Sequence, residues 1–224
     1  MQDEMEGEAK LRRAMVQAAL ELAGRGLNRG TSGNVGVRCG DRILVTPSGV
    51  PARELTPQGM VLLAANGAVI GAGRPSSEWR FHRDILEWRP DVNAIVHVHS
   101  PFATSLACLG LEIPPFHYMI AAAGGTTIRC APYALFGTQE LSDRALAALQ
   151  DRRACLLANH GMIATGRDLD HAVALCIEVE SLCEQYWRAR QIAEPCRLSD
   201  AQMAEVMEKF KTYGQHAQGE QAEP

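Results

Sequence analysis

The run Ala94-Ile95-Val96-His97-Val98-His99 is short, apolar and β-branched, which makes it a buried strand with a constraint. Side chains two apart on a strand share a face, so both imidazoles point the same way and can reach one ion. A second strand-like run, Ala154 to Ala158, ends in Asn159-His160-Gly161, where Gly161 is expected to turn the chain and leave His160 at the strand mouth. Three imidazoles with a fourth position open form the pattern of a catalytic metal site, and zinc accepts such ligands readily. On the His-x-His spacing alone, hydrogen-bonded core histidines are the commoner outcome. The downstream turn and an upstream acid favour the metal.

That acid is Glu78. Pro75-Ser76-Ser77-Glu78 opens a helix-like run from Trp79 to Leu86, with the serines suited to the N-cap. A first-turn carboxylate is ordinarily explained by the helix dipole. Beside a metal it can instead serve as a general base, its proton affinity set by desolvation against positive charge.

Two small-residue segments carry hydroxyl and amide donors, Gly30-Thr31-Ser32-Gly33-Asn34 and Thr46-Pro47-Ser48-Gly49. Turns of this composition can hold a phosphate through backbone N–H groups, and the serines before the Glu78 helix add another such terminus. Neither segment matches a P-loop or a dinucleotide fingerprint, and each alone fits an ordinary hairpin turn.

Taken in order, Gly33-Asn34, Thr46-Pro47-Ser48-Gly49, Ser76-Ser77-Glu78, His97-x-His99 and Asn159-His160-Gly161 resemble the class II aldolase and sugar-phosphate epimerase family. Longer runs are similar to its L-fuculose-1-phosphate aldolase branch: Ser76 to His82, His117 to Gly125, Cys130 to Tyr133, Phe136 to Thr138 and Glu208 to Gly214. The resemblance covers nearly the whole chain except the two ends. It implies that His97, His99 and His160 bind zinc (Zn2+), with Glu78 on the ion in the empty site. Glu78 then moves a proton at the carbon beside the ketone while zinc stabilises an enediolate. Gly33, Asn34, Ser48, Gly49, Ser76 and Ser77 match the phosphate-holding positions. Tyr118 matches a catalytic tyrosine supplied by a neighbouring subunit of a homotetramer. Phe136 and Tyr213 match the aldehyde end, with Tyr213 on a mobile C-terminal segment.

The activity implied is reversible cleavage of a ketose 1-phosphate to dihydroxyacetone phosphate and an aldehyde. The ketose is of the L-fuculose 1-phosphate, 5-deoxyribulose 1-phosphate or 5-methylthioribulose 1-phosphate type. Within the same resemblance lie a ribulose-phosphate 4-epimerase, a methylthioribulose-1-phosphate dehydratase and a non-catalytic adducin-like interaction domain. The last lacks the metal ligands that this chain carries. Asn159 stands where the fuculose branch has a further histidine, Ser100-Pro101-Phe102 follows His99, and Ser32 and Ser48 replace an alanine and a threonine. These departures leave the aldehyde half open.

Length suits one domain: 224 residues can bury a sizeable core. A net charge of −4 without a basic stripe argues against nucleic acid as a partner. The acidic start, Met1-Gln2-Asp3-Glu4, is unlike a signal peptide, and no apolar run approaches the roughly 20 residues that span a bilayer, so the cytoplasm is the expected compartment. Seven cysteines without a Cys-x-x-Cys pair, with Cys176 and Cys183 on one helix face, favour reduced core thiols over ligands. Helices are expected over Glu8–Ala23, Pro101–Leu109, Thr138–Gln150 and Asp168–Gln191, with short strands to Ile70 and a small-residue turn at Ala121–Gly125. Residues 1–7 and 215–224 are expected to be flexible. The fold class expected is a single α/β domain with a central, mostly antiparallel sheet flanked by helices, an arrangement supplied by the resemblance.

Overall fold

Alternation along the strands builds two apolar cores, one on each face of a single sheet. In β5 (Ala94–Val98), Ala94, Val96 and Val98 face one layer and Ile95 the other. In β7 (Ala154–Leu157) and β8 (Gly161–Gly166), Leu156, Met162 and Ala164 join the first core, while Cys155, Leu157 and Ile163 join the second. Burying each of the larger aliphatic side chains stabilises the fold by about 1.5 to 3 kcal/mol. The period-2 pattern therefore decides which histidine face looks toward which layer.

This computed structural model describes residues 2–211. The remaining strands are β1 (Asn34–Cys39), β2 (Arg42–Val45), β3 (Val61–Leu63), β4 (Val69–Ile70) and β6 (Cys130–Ala131). The eight-stranded order is β4-β3-β2-β1-β5-β8-β7-β6, antiparallel except for the β6–β7 pair, as expected. Helices α1 (Gln2–Gly24), α3 (Pro101–Ala107), α5 (Leu169–Arg190) and α6 (Asp200–Phe210) contribute to the first core. Helices α2 (Trp79–Trp88) and α4 (Gln139–Leu149) cover the second. Apolar residues recur at helical spacing on each buried face: Met15, Ala18, Ala19 and Leu22 on α1, and Ala172, Cys176, Val179 and Cys183 on α5.

The expected helix starts at Thr138 and Asp168 hold, each side chain accepting a backbone N–H, from Leu141 and His171 respectively. Other expectations need correction. Helix α1 begins at Gln2 rather than Glu8, α2 runs on to Trp88, and α3 ends at Ala107. The expected turn at Ala121–Gly125 is instead the end of a 3-10 helix, Tyr118–Ala123, stopped by Gly124 at φ 91°. Helix α6 was not anticipated, although Ser199 and Gln202 form a reciprocal capping box at its start. Cys39, Cys155, Cys176 and Cys183 are buried as expected, but Cys108 and Cys196 are exposed. Tyr213 and the tail at 215–224 lie outside the described residues.

Candidate active site

Pairing of β5 with β8 sets His97 opposite Ile163 and Val98 opposite Met162, which brings the Asn159-His160-Gly161 turn beside the His-x-His pair. The three imidazole centroids then stand 4.8 to 4.9 Å apart with interplanar angles of 73 to 75°. Each ring meets the next edge-on about a common centre, and their ligand nitrogens lie within 4.8 Å of one another. Burial is graded: His97 is fully buried, His160 half-buried and His99 exposed, so the cluster opens in one direction.

The turn is built differently from expectation. Asn159 takes the left-handed conformation at φ 57°, and Gly161 does not. Glycine is needed at 161 for close approach: a Cβ there would lie 2.3 Å from the Val98 carbonyl oxygen, 3.0 Å from His99 Cδ2 and 3.3 Å from His97 Cε1. Gly161→Ala is therefore expected to cost about 1 to 3 kcal/mol of stability and to weaken metal binding, because strand backbone and ligand rings must shift together. Urea denaturation and zinc titration of the variant check this; wild-type values in both would contradict it.

Glu78 enters from the opposite side. The Thr46–Gly49 turn and the segment before α2 are tied by Ser48 N–H to Arg74 carbonyl and Ser76 N–H to Thr46 carbonyl bonds, both 2.9 Å. The serines are not the helix cap. Glu78 itself occupies the N-cap position, its own N–H donates to Ser76 Oγ at 3.3 Å, and its carboxylate makes no capping bond. Instead Oε2 lies 3.3 Å from His97 Nε2, and Oε1 lies 3.1 Å from His160 Nε2. Oε1 is buried without a well-formed hydrogen bond, a state that ordinarily costs about 1 to 3 kcal/mol.

This donor set fits a metal ion. His97 Nδ1 lies 2.9 Å from the Met162 carbonyl oxygen, so that nitrogen donates its proton there and Nε2 is the atom turned to the cluster. That Nε2 faces His99 Nε2 at 3.0 Å and Glu78 Oε2 at 3.3 Å, while the orphaned Oε1 lies beside His160 Nε2 at 3.1 Å. Three imidazole nitrogens and one carboxylate oxygen converging in this way match a four-coordinate divalent site. Electrostatics favour ligation at His99. Burial, then the charges of His97 and His160, push His99 down to about 4, which leaves it neutral and able to ligate. Burial opposes ionisation of Glu78, but the charge of His97 and the proximity of His160 outweigh it and hold the carboxyl well below the usual range. Burial lowers His97, but the Glu78 carboxylate more than offsets it and favours a proton on that ring, which a metal ion would have to displace.

A cleft of about 330 Å³ opens above this cluster. Gly33, Asn34, Ser48, Gly49, Ser76, Ser77, Glu78, His99 and His160 all line it, and Tyr133, Ala134 and Phe136 form another part of its wall. Among the described residues, no lysine or arginine lines it. Phe136 is held there because Arg80 donates to the Gly137 carbonyl at 2.7 Å and Gly137 packs against the Ser77 carbonyl. Tyr118 does not line the cleft of its own chain and is half exposed on the Tyr118–Ala123 helix.

Several residues around the site were not anticipated. Asn28 accepts the His99 N–H at 3.1 Å and fills the space where a Gly33 side chain would stand. Glu180, buried on α5, accepts from Ser100 Oγ at 2.6 Å and from the Phe102 and Ala103 N–H groups at 2.8 Å, which fixes the chain immediately after His99. Fully buried His82 sits 2.6 Å from Asn34 Oδ1. In sequence these are unremarkable polar positions; the capping-type Ser100-Pro101 start of α3 was the one cue that a buried acceptor was needed.

His82 carries a testable pH dependence. Burial first, then the His97 charge, lowers it from 6.5 to about 3. Between those values the unfolded chain takes up a proton that the folded chain refuses. Stability therefore falls as pH drops below 6.5, by up to about 1.4 kcal/mol per pH unit. His82→Gln, which cannot take up that proton, is expected to show a shallower acid limb in denaturation midpoints; parallel limbs would contradict the assignment.

Residues 13–187 match the class II aldolase and adducin N-terminal domain family. The chain belongs to this family. Among relatives of this class II aldolase family member, the 5-methylthioribulose-1-phosphate/5-deoxyribulose-1-phosphate aldolase of Rhodospirillum rubrum is 58% identical over 93% of the chain and 94% of that protein. The L-fuculose phosphate aldolase of Escherichia coli is 48% identical over 92% of the chain and 96% of that protein. A solved structure of an L-fuculose 1-phosphate aldolase superposes with a TM-score of 0.87 at 39% identity, covering 90% of this chain and 96% of that one. No helix among the described residues is long and apolar enough to cross a membrane.

Proposed function

We propose that the protein is a zinc-dependent aldolase that reversibly cleaves a ketose 1-phosphate to dihydroxyacetone phosphate and an aldehyde. The observation that carries this reading is the convergence of His97, His99, His160 and the Glu78 carboxylate at one end of a cleft lined by neutral donors. A zinc ion held by the three histidines supplies the Lewis acidity that polarises a ketone and offsets the charge developed as the adjacent carbon–carbon bond breaks.

Glu78 moves the proton at the carbon beside the ketone, its carboxylate being kept ionised by the imidazoles around it. Gly33, Asn34, Ser48, Gly49, Ser76 and Ser77 hold the phosphate by hydroxyl, amide and backbone N–H groups rather than by cationic side chains. Phe136 and Tyr213 belong to the aldehyde end. Tyr118 acts on the hydroxyl of the aldehyde half in the cleft of an adjacent subunit of a homotetramer, a reading supported by its exposure away from its own cleft. The protein works in the cytoplasm.

The aldehyde half is small and lacks a charged terminus, as in 5-deoxyribulose 1-phosphate and its methylthio analogue. Tyr133, Ala134 and Phe136 give that part of the wall an apolar character, and the Rhodospirillum rubrum relative is named for those substrates. Coupled detection of dihydroxyacetone phosphate, with fuculose 1-phosphate and 5-deoxyribulose 1-phosphate side by side, tests the reading. A higher kcat/KM for 5-deoxyribulose 1-phosphate is expected: the two aldehydes differ by one CHOH group, and a difference of about one carbon in a pocket is worth about 10- to 200-fold. Failure to cleave either sugar, with xylulose 5-phosphate formed from ribulose 5-phosphate or a diketone from methylthioribulose 1-phosphate, would overturn it in favour of an epimerase or a dehydratase.

A further inference from the structure

His82 makes one side-chain contact that reaches the reacting centre. It lies four residues after Glu78, on α2, and its Nε2 is 2.6 Å from Asn34 Oδ1, while Asn34 Nδ2 donates to Glu78 Oε2 at 2.9 Å. All three residues are buried. The orientation of the Asn34 amide follows from the chain of contacts: turned over, it would set its oxygen against the carboxylate oxygen, two acceptors with no proton between them. With the oxygen toward His82, a hydrogen bond requires the imidazole proton on Nε2. Nδ1 is then a lone pair, and it is buried without a partner. The ring is pressed against β1 at Gly36, where a Cβ would lie 2.4 Å from Nδ1, so any side chain at 36 would displace it. A leucine in place of His82 would fill such a space without an orphaned nitrogen, so packing alone does not account for the imidazole.

We propose that His82 is a positioning residue. Its Nε2–H holds the Asn34 amide with the NH2 end toward Glu78 and so places the carboxylate against the three histidines. The contribution to proton transfer rests on the aldolase reading above; the contribution to the metal site does not. A group of this kind, acting through one intermediary on a ligand, ordinarily changes metal affinity or activity by about 10- to 100-fold.

The test compares His82→Leu with His82→Gln. Glutamine places an N–H close to the position of imidazole Nε2; leucine keeps bulk and loses the donor. In His82→Leu, zinc affinity and kcat are each expected to fall by about 10- to 100-fold with KM little changed. His82→Gln is expected to restore both, at a similar thermal midpoint. The 15N spectrum of histidine-labelled wild-type protein, assigned by the signal lost in His82→Gln, is expected to show protonated Nε2 and bare Nδ1. Wild-type zinc affinity and kcat in His82→Leu, equal impairment in both variants, or an Nδ1-protonated ring would overturn the proposal. If the wild-type protein cleaved no ketose 1-phosphate, the functional reading would fail, and zinc titration with the 15N spectrum would still decide the role of His82.

Discussion

Changing Glu78 to Gln is expected to lower kcat by about 100- to 10,000-fold, the usual worth of a positioned acid or base, while zinc stays bound. In energy this is about 2.7 to 5.4 kcal/mol of barrier. The amide is nearly isosteric with the carboxylate, and its oxygen can still accept from Asn34 Nδ2, now at 2.9 Å from Oε2. What it cannot do is take a proton. The three imidazoles remain, and they include fully buried His97, anchored by the Met162 carbonyl. KM should therefore change little, which is the signature of an interaction made only in the transition state. Exchange of the dihydroxyacetone phosphate carbon-bound proton with heavy water, followed by NMR, should be lost in parallel. A kcat within about threefold of wild type, with zinc content unchanged, would remove Glu78 from the role of base.

Stripping the metal with a chelator is expected to abolish turnover and also to lower the thermal midpoint, both restored by added zinc. The cluster accounts for the second effect. His97 Nε2 and His99 Nε2 face each other at 3.0 Å, and Glu78 Oε1, beside His160, is buried without a well-formed hydrogen bond. An ion at 1,000 times its Kd stabilises the folded state by about 4.1 kcal/mol. For a chain of this size that corresponds to a Tm shift of roughly 8 to 16 °C. Gly161 enforces the geometry from below, since its missing side chain is what lets the Val98 carbonyl and the two strand histidines lie so close. A chelated protein with unchanged Tm and full activity would exclude a structural and catalytic ion at these residues.

Much of this architecture could be read along the chain. Ala94 to His99 has the alternation of a buried strand, which alone sends His97 and His99 to one face, and Thr138 and Asp168 mark helix starts with side chains that cap them. Helix α6 was equally legible in Ser199 and Gln202. Other features were beyond such reading. Asn34 looks like a turn residue suited to a phosphate, and no local pattern says that its amide also bridges Glu78 and His82, residues 44 and 48 positions away. Glu78 looks like a first-turn acid or a helix neighbour of serine caps, yet its carboxylate turns away from its own helix toward two histidines. Tyr118 is exposed on a 3-10 helix, so no pattern within one chain says what it faces.

The division has a physical cause. Periodicity, capping and turn preference are local consequences of side-chain shape and hydrogen bonding, so the residue order by itself determined the elements and the face on which each histidine stands. The placement of β1 between β2 and β5, and of β8 beside β5, depends on backbone hydrogen bonds that every residue type can make. Only when the packed sheet had selected those neighbours did His160 meet His97 and His99, and only then did Glu78, Asn34 and His82 become one connected group.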